Sequence, residues 1–238
     1  MGNKQHAKEQ KMLMERLITD NPQFHSYKGT FTSWAINPNT LNFLYSMLTP
    51  GMSTLETGCG QTTVVFSIAR TKHICITPDQ GEAERVDQYC TKLGLEKNIT
   101  FVIDSSDAAL PQDGLIPSEL DHVFIDGAHR FPIAIIDWYY TVRKLKLGGI
   151  VSVDDFKIPS VKILYDFLCT EEEWELIRVM HNTAFFKKLR EPMNINDWSG
   201  QKINLSYQTS ARGFEKKGFI RKLILPQFER ILKGKNHG

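Results

Sequence analysis

The sequence of 238 residues contains no run of apolar side chains long enough to cross a membrane. A spanning helix takes roughly 18 or more consecutive apolar residues, and no hydrophobic stretch approaches that length. The polar first residues, 1–9, also lack the apolar segment of a secretory signal. We therefore expect neither a transmembrane segment nor a signal peptide.

Cysteine is scarce as well. The four cysteines form no Cys-x-x-Cys pair and have no cluster of histidines beside them, which argues against a zinc site and a disulfide framework. Thiols that are neither paired nor metal-bound are typical of a reducing compartment. We expect a cytoplasmic protein.

A strong excess of one charge is also missing, because the formal net charge is only +2. The whole molecule therefore gives no electrostatic reason to expect a nucleic-acid partner. The charge is unevenly distributed, however, since the segment after Gly200 contains nine Lys and Arg residues but two acids. We interpret this segment as a solvated tail, with weak contact to a membrane surface or an acidic partner as the alternative.

What the sequence does contain is an alternation of short apolar strands and helices in its middle. Two predicted helices, 4–20 and 39–48, precede it. The predicted strands are 53–57, 73–77, 99–103, 121–125 and 150–153, and the predicted helices between and after them are 61–69, 82–93, 132–145 and 160–168, with a turn at Gly148-Gly149. Strands that are apolar throughout are typical of a parallel sheet covered on both faces. The alternation predicts right-handed βαβ units in one α/β sheet.

The pattern changes after residue 168. Two β-rich runs, 174–180 and 183–189, are separated only by His181-Asn182, which predicts an antiparallel hairpin at the end of the sheet. We divide the chain into an N-terminal helical segment (1–50), an α/β domain (51–190) and a basic C-terminal extension (191–238).

A glycine loop, Glu56-Thr57-Gly58-Cys59-Gly60, follows the first of these strands and precedes a helix. Ligands of open α/β sheets bind at the carboxyl ends of the strands, and glycines allow the backbone to approach them closely. A tight strand-to-helix turn without a ligand is the alternative. A third glycine and a phosphate-binding lysine are both missing, which argues against a dinucleotide or a phosphate loop. Glu56 can pair with an ammonium, so a cationic nucleoside such as S-adenosylmethionine (SAM) fits better.

Two further motifs follow in order, Ile125-Asp126-Gly127-Ala128-His129 and Val153-Asp154-Asp155. With the glycine loop, they resemble the class I SAM-dependent methyltransferases, in particular a bacterial branch that carries Ile-Asp-Gly-x-His and Asp-Asp motifs. The resemblance covers residues 33–189. It implies a Rossmann-like fold whose mostly parallel, seven-stranded sheet ends in an antiparallel hairpin, with helices on both faces.

The resemblance also implies cofactor contacts. Residues expected to contact the methionine part of SAM are Glu56, Gly58 and Gly60, with Thr62 and Thr63 beside them. The family has an acid for the ribose at the end of the second strand, where this chain has Thr77; the nearest acid is Asp79. Ser106 is the expected match for the small polar residue near the adenine.

The acids Asp126, Asp154 and Asp155 follow neighbouring strands of the predicted sheet. Crowded carboxylates raise one another's pKa unless a cation neutralises them, and oxygen ligands suit Mg²⁺ or another hard divalent cation. The resemblance to metal-dependent O-methyltransferases points the same way. Caps for helices and sites for bound water are the alternative.

His129 is the candidate general base for the reaction, with Asp126 beside it. An unperturbed histidine has a pKa near 6.5, which suits proton transfer at neutral pH. A metal ligand or a structural histidine are the alternatives. Arg130 is a candidate to orient an anionic acceptor, or else an ordinary exposed arginine.

These motifs together predict methyl transfer from SAM to an oxygen of a small-molecule acceptor, assisted by a divalent metal. The first alternative is a regulatory or interaction protein that binds SAM without transferring its methyl group. The second is a nicotinamide-dependent oxidoreductase, against which the glycine spacing argues. The acceptor and the oligomeric state, including a homo-oligomer, stay open.

Overall fold

The structure is a computed structural model that describes residues 2–191 and 201–204. The helices within residues 2–191 are α1 (Gly2–Asp20), α2 (Pro38–Ser46), α3 (Gln61–Ile68), α4 (Gln80–Lys92), α5 (Ser106–Ala109), α6 (Ile133–Thr141) and α7 (Pro159–Thr170). The strands there are β1 (His25–Tyr27), β2 (Thr30–Thr32), β3 (Ser53–Thr57), β4 (Lys72–Thr77), β5 (Ile99–Ile103), β6 (Leu120–Ile125), β7 (Leu145–Val153), β8 (Trp174–Met180) and β9 (Thr183–Lys188).

Seven of these strands form one sheet in the order β5-β4-β3-β6-β7-β9-β8. The first five are parallel, and β9 runs antiparallel to both β7 and β8. The predicted sheet, its terminal hairpin and its Rossmann-like fold are therefore confirmed. No helix among the described residues is long and apolar enough to cross a membrane.

The register of the central strands places their carboxyl ends at one level. Thr57 of β3 pairs with Ile125 of β6, and Ile125 pairs with Val153 of β7. The strand ends that lead into the glycine loop, Asp126 and Asp154 therefore lie side by side. This is the edge at which an open α/β sheet binds its ligand.

The N-terminal helices pack against the face of the sheet that carries α3. Leu17 of α1 and Leu41 and Leu44 of α2 lie in one buried cluster with Val65 and Phe66 of α3.

Asn37 caps α2 through a 2.9 Å hydrogen bond that its Oδ1 accepts from the Asn39 N–H, as the Asn-Pro-Asn sequence predicts.

The predicted turn at Gly148-Gly149 is wrong, because β7 runs through both glycines. Leu120 of the neighbouring β6 pairs with Leu145 and His122 pairs with Ile150, so β7 has the extra residues between these two pairs. Gly148 adopts φ +79°, and a Cβ on Gly149 would lie 2.8 Å from Leu145 Cδ1. The glycines thus serve a bulge within the strand rather than its beginning. The helix predicted over 132–145 accordingly ends at Thr141.

Lys188 is a fully buried cation at the end of β9. Its Nζ donates hydrogen bonds to the carbonyl oxygens of Val142 (3.0 Å) and Leu145 (2.7 Å) and to Glu191 Oε2 (2.8 Å). Buried charges are tolerated when their hydrogen-bonding capacity is met in this way. Lys188 therefore fastens the turn between α6 and β7.

The burial of His122 leads us to expect that acid destabilises the folded protein. The ring is buried, its Nε2 lies 2.8 Å from Ser152 Oγ, and burial lowers its pKa to about 3. Because the unfolded chain takes up this proton near pH 6.5, the stability that the neutral ring provides is lost as the pH falls. In denaturant titrations, His122→Phe should lose on the order of 4 kcal/mol less than the wild type between pH 6.5 and pH 3. Parallel pH profiles for the two proteins would contradict this.

Candidate active site

A cleft of about 970 Å³ lies at the carboxyl ends of the parallel strands. Its walls are formed by the loops after β3, β4, β5, β6 and β7, together with the segment between β2 and α2. The predicted site residues that line it are Gly58, Asp79, Ser106, Asp126, His129, Asp154 and Asp155. The structure thus brings most of the predicted site together around one cavity.

Gly58 is held against the loop that follows β6. Its N–H donates to the Ile76 carbonyl oxygen at 2.9 Å, and its φ is +96°. A Cβ at this position would overlap the carbonyl oxygen of Asp126 and lie 2.9 Å from its carbonyl carbon. Gly58 therefore meets both requirements for glycine, a left-handed backbone and a close approach of two loops.

Glu56 is buried behind the glycine loop rather than in the cleft wall. Its carboxylate accepts hydrogen bonds from Thr62 Oγ1 (2.8 Å) and Thr63 Oγ1, and it lies 3.1 Å from His73 Nε2. Thr63 Oγ1 also accepts a 2.9 Å hydrogen bond from the Gly60 N–H. This network fixes the shape of the loop, and direct contact of Glu56, Gly60, Thr62 and Thr63 with SAM stays a prediction.

The wall beside β4 contains an acid that the sequence pattern did not reveal. Glu82 Oε1 lies 3.0 Å from His25 Nδ1, and its Oε2 accepts a 3.4 Å hydrogen bond from Thr77 Oγ1. Asp79, the predicted ribose acid, accepts the Glu82 N–H at 3.0 Å and so caps α4. Glu82 reaches back over the end of β4, to the position where an acid was expected.

His25 belongs to the β1–β2 hairpin, which the sequence did not predict. Its ring stacks on Trp34 with centroids 4.8 Å apart, and a Cβ on Gly60 would lie 3.3 Å from its Nε2. The strands of this hairpin have three residues each, too few to show a period. The hairpin and the residues that follow it thus bring an imidazole and an indole to the side of the cleft that carries the glycine loop.

His129 lies between two carboxylates on the opposite side of the cleft. Its Nε2 is 3.6 Å from Asp126 Oδ1 and 3.7 Å from Asp155 Oδ2, and it makes no hydrogen bond within the described structure. Asp155 Oδ1 accepts a 3.3 Å hydrogen bond from Asn182 Nδ2, and Asp154 accepts one from Thr183 Oγ1. The imidazole therefore faces acids without being tied to either.

Burial raises the pKa of two of these acids, Asp126 and Asp154, and the neighbouring charges add to the effect. Burial, together with the charges of Asp154 and Asp155, raises the pKa of Asp126 to about 8. Burial and Asp155 also raise the pKa of Asp154, and the neighbouring Asp126 raises that of His129. The Asp126 side chain is still 28% exposed, so water moderates the effect. The site favours an added positive charge, either a proton or a cation.

The donor chemistry of this site suits a hard divalent cation, since three carboxylates face one edge of the cleft. Among residues 2–191 and 201–204, however, no three His, Cys, Asp or Glu side chains are arranged as a ready ligand set. The carboxylates would have to turn toward an ion, as Asp154 and Asp155 now bond to Thr183 and Asn182. A metal therefore stays a proposal.

Comparison with known proteins agrees with this geometry. Residues 55–156 match the family described as "Methyltransferase domain". No curated protein sequence matches the chain.

Similar solved structures include enzymes of two named kinds. A putative O-methyltransferase from Klebsiella pneumoniae is 14% identical, with a TM-score of 0.60 over 75% of this chain and 90% of that one. An O-methyltransferase from Bacillus cereus, in complex with S-adenosylhomocysteine (SAH), is 12% identical, with a TM-score of 0.60 over 75% and 91%. An rRNA methylase from Streptococcus thermophilus is 13% identical, with a TM-score of 0.51 over 64% and 95%.

Likeness at such identities shows the fold, and it does not select an acceptor. Because an rRNA methylase shares this fold, the absence of a nucleic-acid partner stays a prediction. The family match supports the cofactor and the reaction class, and the strand order and the position of the glycine loop agree with it. Residues 55–156 match the methyltransferase-domain family, and the sheet that contains them has the Rossmann-like fold of the class I SAM-dependent methyltransferases.

Proposed function

We propose that the protein transfers the methyl group of SAM to an oxygen atom of a small-molecule acceptor, with His129 as the general base. The observation that carries this proposal is the position of His129 Nε2, which lies in the cleft without a hydrogen bond and within 3.7 Å of two carboxylate oxygens. An imidazole in such a place can take a proton from a hydroxyl, and the two acids stabilise the charge that results.

The cofactor would lie along the glycine loop, with Gly58 at its methionine end and Ser106 near its adenine. Glu82 and Asp79 are the acids available to its ribose hydroxyls, and both line the cleft. Glu82 is the better placed, because its carboxylate reaches back to Thr77 at the end of β4, whereas Asp79 caps α4. This arrangement would leave the acceptor between the cofactor and His129, where the incoming oxygen can approach the methyl group in line.

A divalent cation, such as Mg²⁺, would be held by Asp126, Asp154 and Asp155. When bound, it would lower the pKa of an acceptor hydroxyl and orient it. The acids and His129 would then have separate tasks. His129 would remove the proton from the acceptor, and the carboxylates would hold the cation that orients it.

The reaction is tested by measuring SAH formation from SAM with phenols, catechols and sugars as acceptors. The proposal predicts turnover with one hydroxyl class and a methyl ether as the product. Binding of SAM without SAH formation on any hydroxyl acceptor would instead support a regulatory protein, and methylation of RNA alone would replace the small-molecule acceptor.

Metal dependence is a separate prediction. EDTA and Asp154→Ala should each lower turnover by about tenfold or more, the loss typical when a metal site is disturbed, and Mg²⁺ should bind the wild type but not the variant in calorimetry. Asp166→Ala is the matched control, since Asp166 is an exposed acid of α7 whose ion pair among the described residues is with Lys162. If EDTA and Asp154→Ala left turnover unchanged and Mg²⁺ gave no binding heat, the metal would be removed from the proposal.

A further inference from the structure

Asp137 is a buried acid that none of the steps above uses. It lies on α6, its side chain is fully buried, and it does not line the cleft. Its Oδ2 accepts a 2.7 Å hydrogen bond from Thr57 Oγ1, whereas its Oδ1 has no hydrogen-bond partner among the described residues. A buried carboxylate oxygen without a partner is costly, so a role for it is worth seeking.

The neighbours of Asp137 lie at the positions where three loops of the cleft begin or end. Thr57 is the last residue of β3 and precedes Gly58. Ser106 is the first residue of α5 and lines the cleft, and its side chain lies close enough to the carboxylate to lower the pKa of Asp137. A Cβ on Gly127 would lie 3.2 Å from Asp137 Oδ2, so the loop after β6 rests directly on the carboxylate.

We propose that Asp137 is a positioning residue, which holds Thr57, Ser106 and Gly127 in the arrangement that binds SAM. One carboxylate then sets the spacing between the glycine loop, the wall proposed for the adenine and the loop that carries Asp126. The inference rests on the assignment of the cleft to SAM and of Ser106 to its binding.

Stability and positioning make opposite demands at this site. Burial, partly offset by Ser106 and Thr57, raises the pKa of Asp137 to about 6. The charged form is therefore less favourable in the folded protein than in the unfolded chain at neutral pH. Removal of the charge should leave the folded protein as stable as before or more stable, while the three loops lose the charged acceptor that they share.

The test compares Asp137→Asn with the wild type by SAM calorimetry and by thermal unfolding without SAM at pH 7.5. We expect SAM to bind about tenfold more weakly, because the hydrogen bond from Thr57 then goes to a neutral amide oxygen, a weaker acceptor than a carboxylate, with a melting temperature that is unchanged or higher. A structural role alone would lower the melting temperature and the affinity together, so that pattern would overturn the proposal.

Two further variants complete the test. Thr57→Val removes the donor from the other side, so it should also weaken SAM binding, and its effect should not add to that of Asp137→Asn. It keeps the proposal testable if Asp137→Asn does not fold. Thr141→Val is the matched control, because buried Thr141 lies one turn further along α6 and its hydroxyl donates to the backbone carbonyl oxygens of Asp137 and Trp138, not to the Asp137 carboxylate. Its SAM affinity should equal that of the wild type.

The outcomes separate this inference from the function proposed above. Wild-type affinity in both Asp137→Asn and Thr57→Val would overturn the role of Asp137 and leave methyl transfer untouched. If the wild type binds SAM and both variants bind it more weakly, the role of Asp137 is supported. If the same wild-type protein methylates no hydroxyl, the proposed reaction is removed.

Discussion

Gly58→Ala should abolish SAM binding, which makes it the most damaging single substitution expected in the glycine loop. The added methyl group would overlap the Asp126 carbonyl oxygen, and φ +96° is unfavourable for alanine. Neither strand end can yield easily, because β3 and β6 are hydrogen-bonded neighbours in the centre of the sheet. The glycine loop must therefore shift relative to the loop that carries Asp126. Calorimetry should show no saturable heat at SAM concentrations that fill the wild-type site.

The matched control is Gly51→Ala. Gly51 has a similar φ of +84° but no atom within 4 Å of the added Cβ, so it reports the backbone cost alone, on the order of 1 kcal/mol. Its SAM affinity should match that of the wild type. Equal SAM affinity in Gly58→Ala and Gly51→Ala would show that the close contact with Asp126 is not needed for the cofactor.

His129→Gln should lower methyl transfer by roughly 10² to 10⁴-fold, the range that a general base contributes. Glutamine keeps a polar group of similar reach but cannot take up a proton at neutral pH. SAM affinity should change little, since His129 lies on the side of the cleft opposite the glutamate–histidine pair Glu82–His25. The measurement is SAH formation at saturating SAM, with calorimetry on the same sample.

The two readouts decide what His129 does. Loss of turnover with intact SAM binding assigns it to the acceptor, as proposed. Turnover within a few-fold of the wild type would show that another group, or the solvent, accepts the proton.

The sheet and its ligand edge were predictable from the sequence because they depend on local patterns. Apolar strands alternating with helices determine a parallel sheet, and the two-residue gap at His181-Asn182 determines the terminal hairpin. The positions of the glycine loop, Asp126 and Asp154 follow from strand ends that share one level. Such features need no knowledge of side-chain packing.

The direction of each side chain at a strand end could not be predicted in the same way. Successive residues of a strand point to opposite faces. Glu56 therefore turns to α3, where it meets Thr62 and Thr63, and Thr57 turns to α6, where it meets Asp137. Which of the two faces the cleft depends on the helices above it, and neither Glu56 nor Thr57 lines the cleft.

Glu82, His25 and Asp137 were missed for a related reason. Glu82 lies three residues after a helix cap, which is an ordinary helical position, and Asp137 lies in an apolar helix. His25 comes 57 residues before its partner Glu82. Their roles depend on contacts between distant segments, and a single sequence carries no signal for such pairs.

The central claim is that the cleft at the glycine loop binds SAM, and a calorimetric titration of the full chain tests it most directly. The account predicts saturable heat with one site per chain for SAM, and none for NAD under the same conditions. Folded protein that gives no saturable heat with SAM would contradict it.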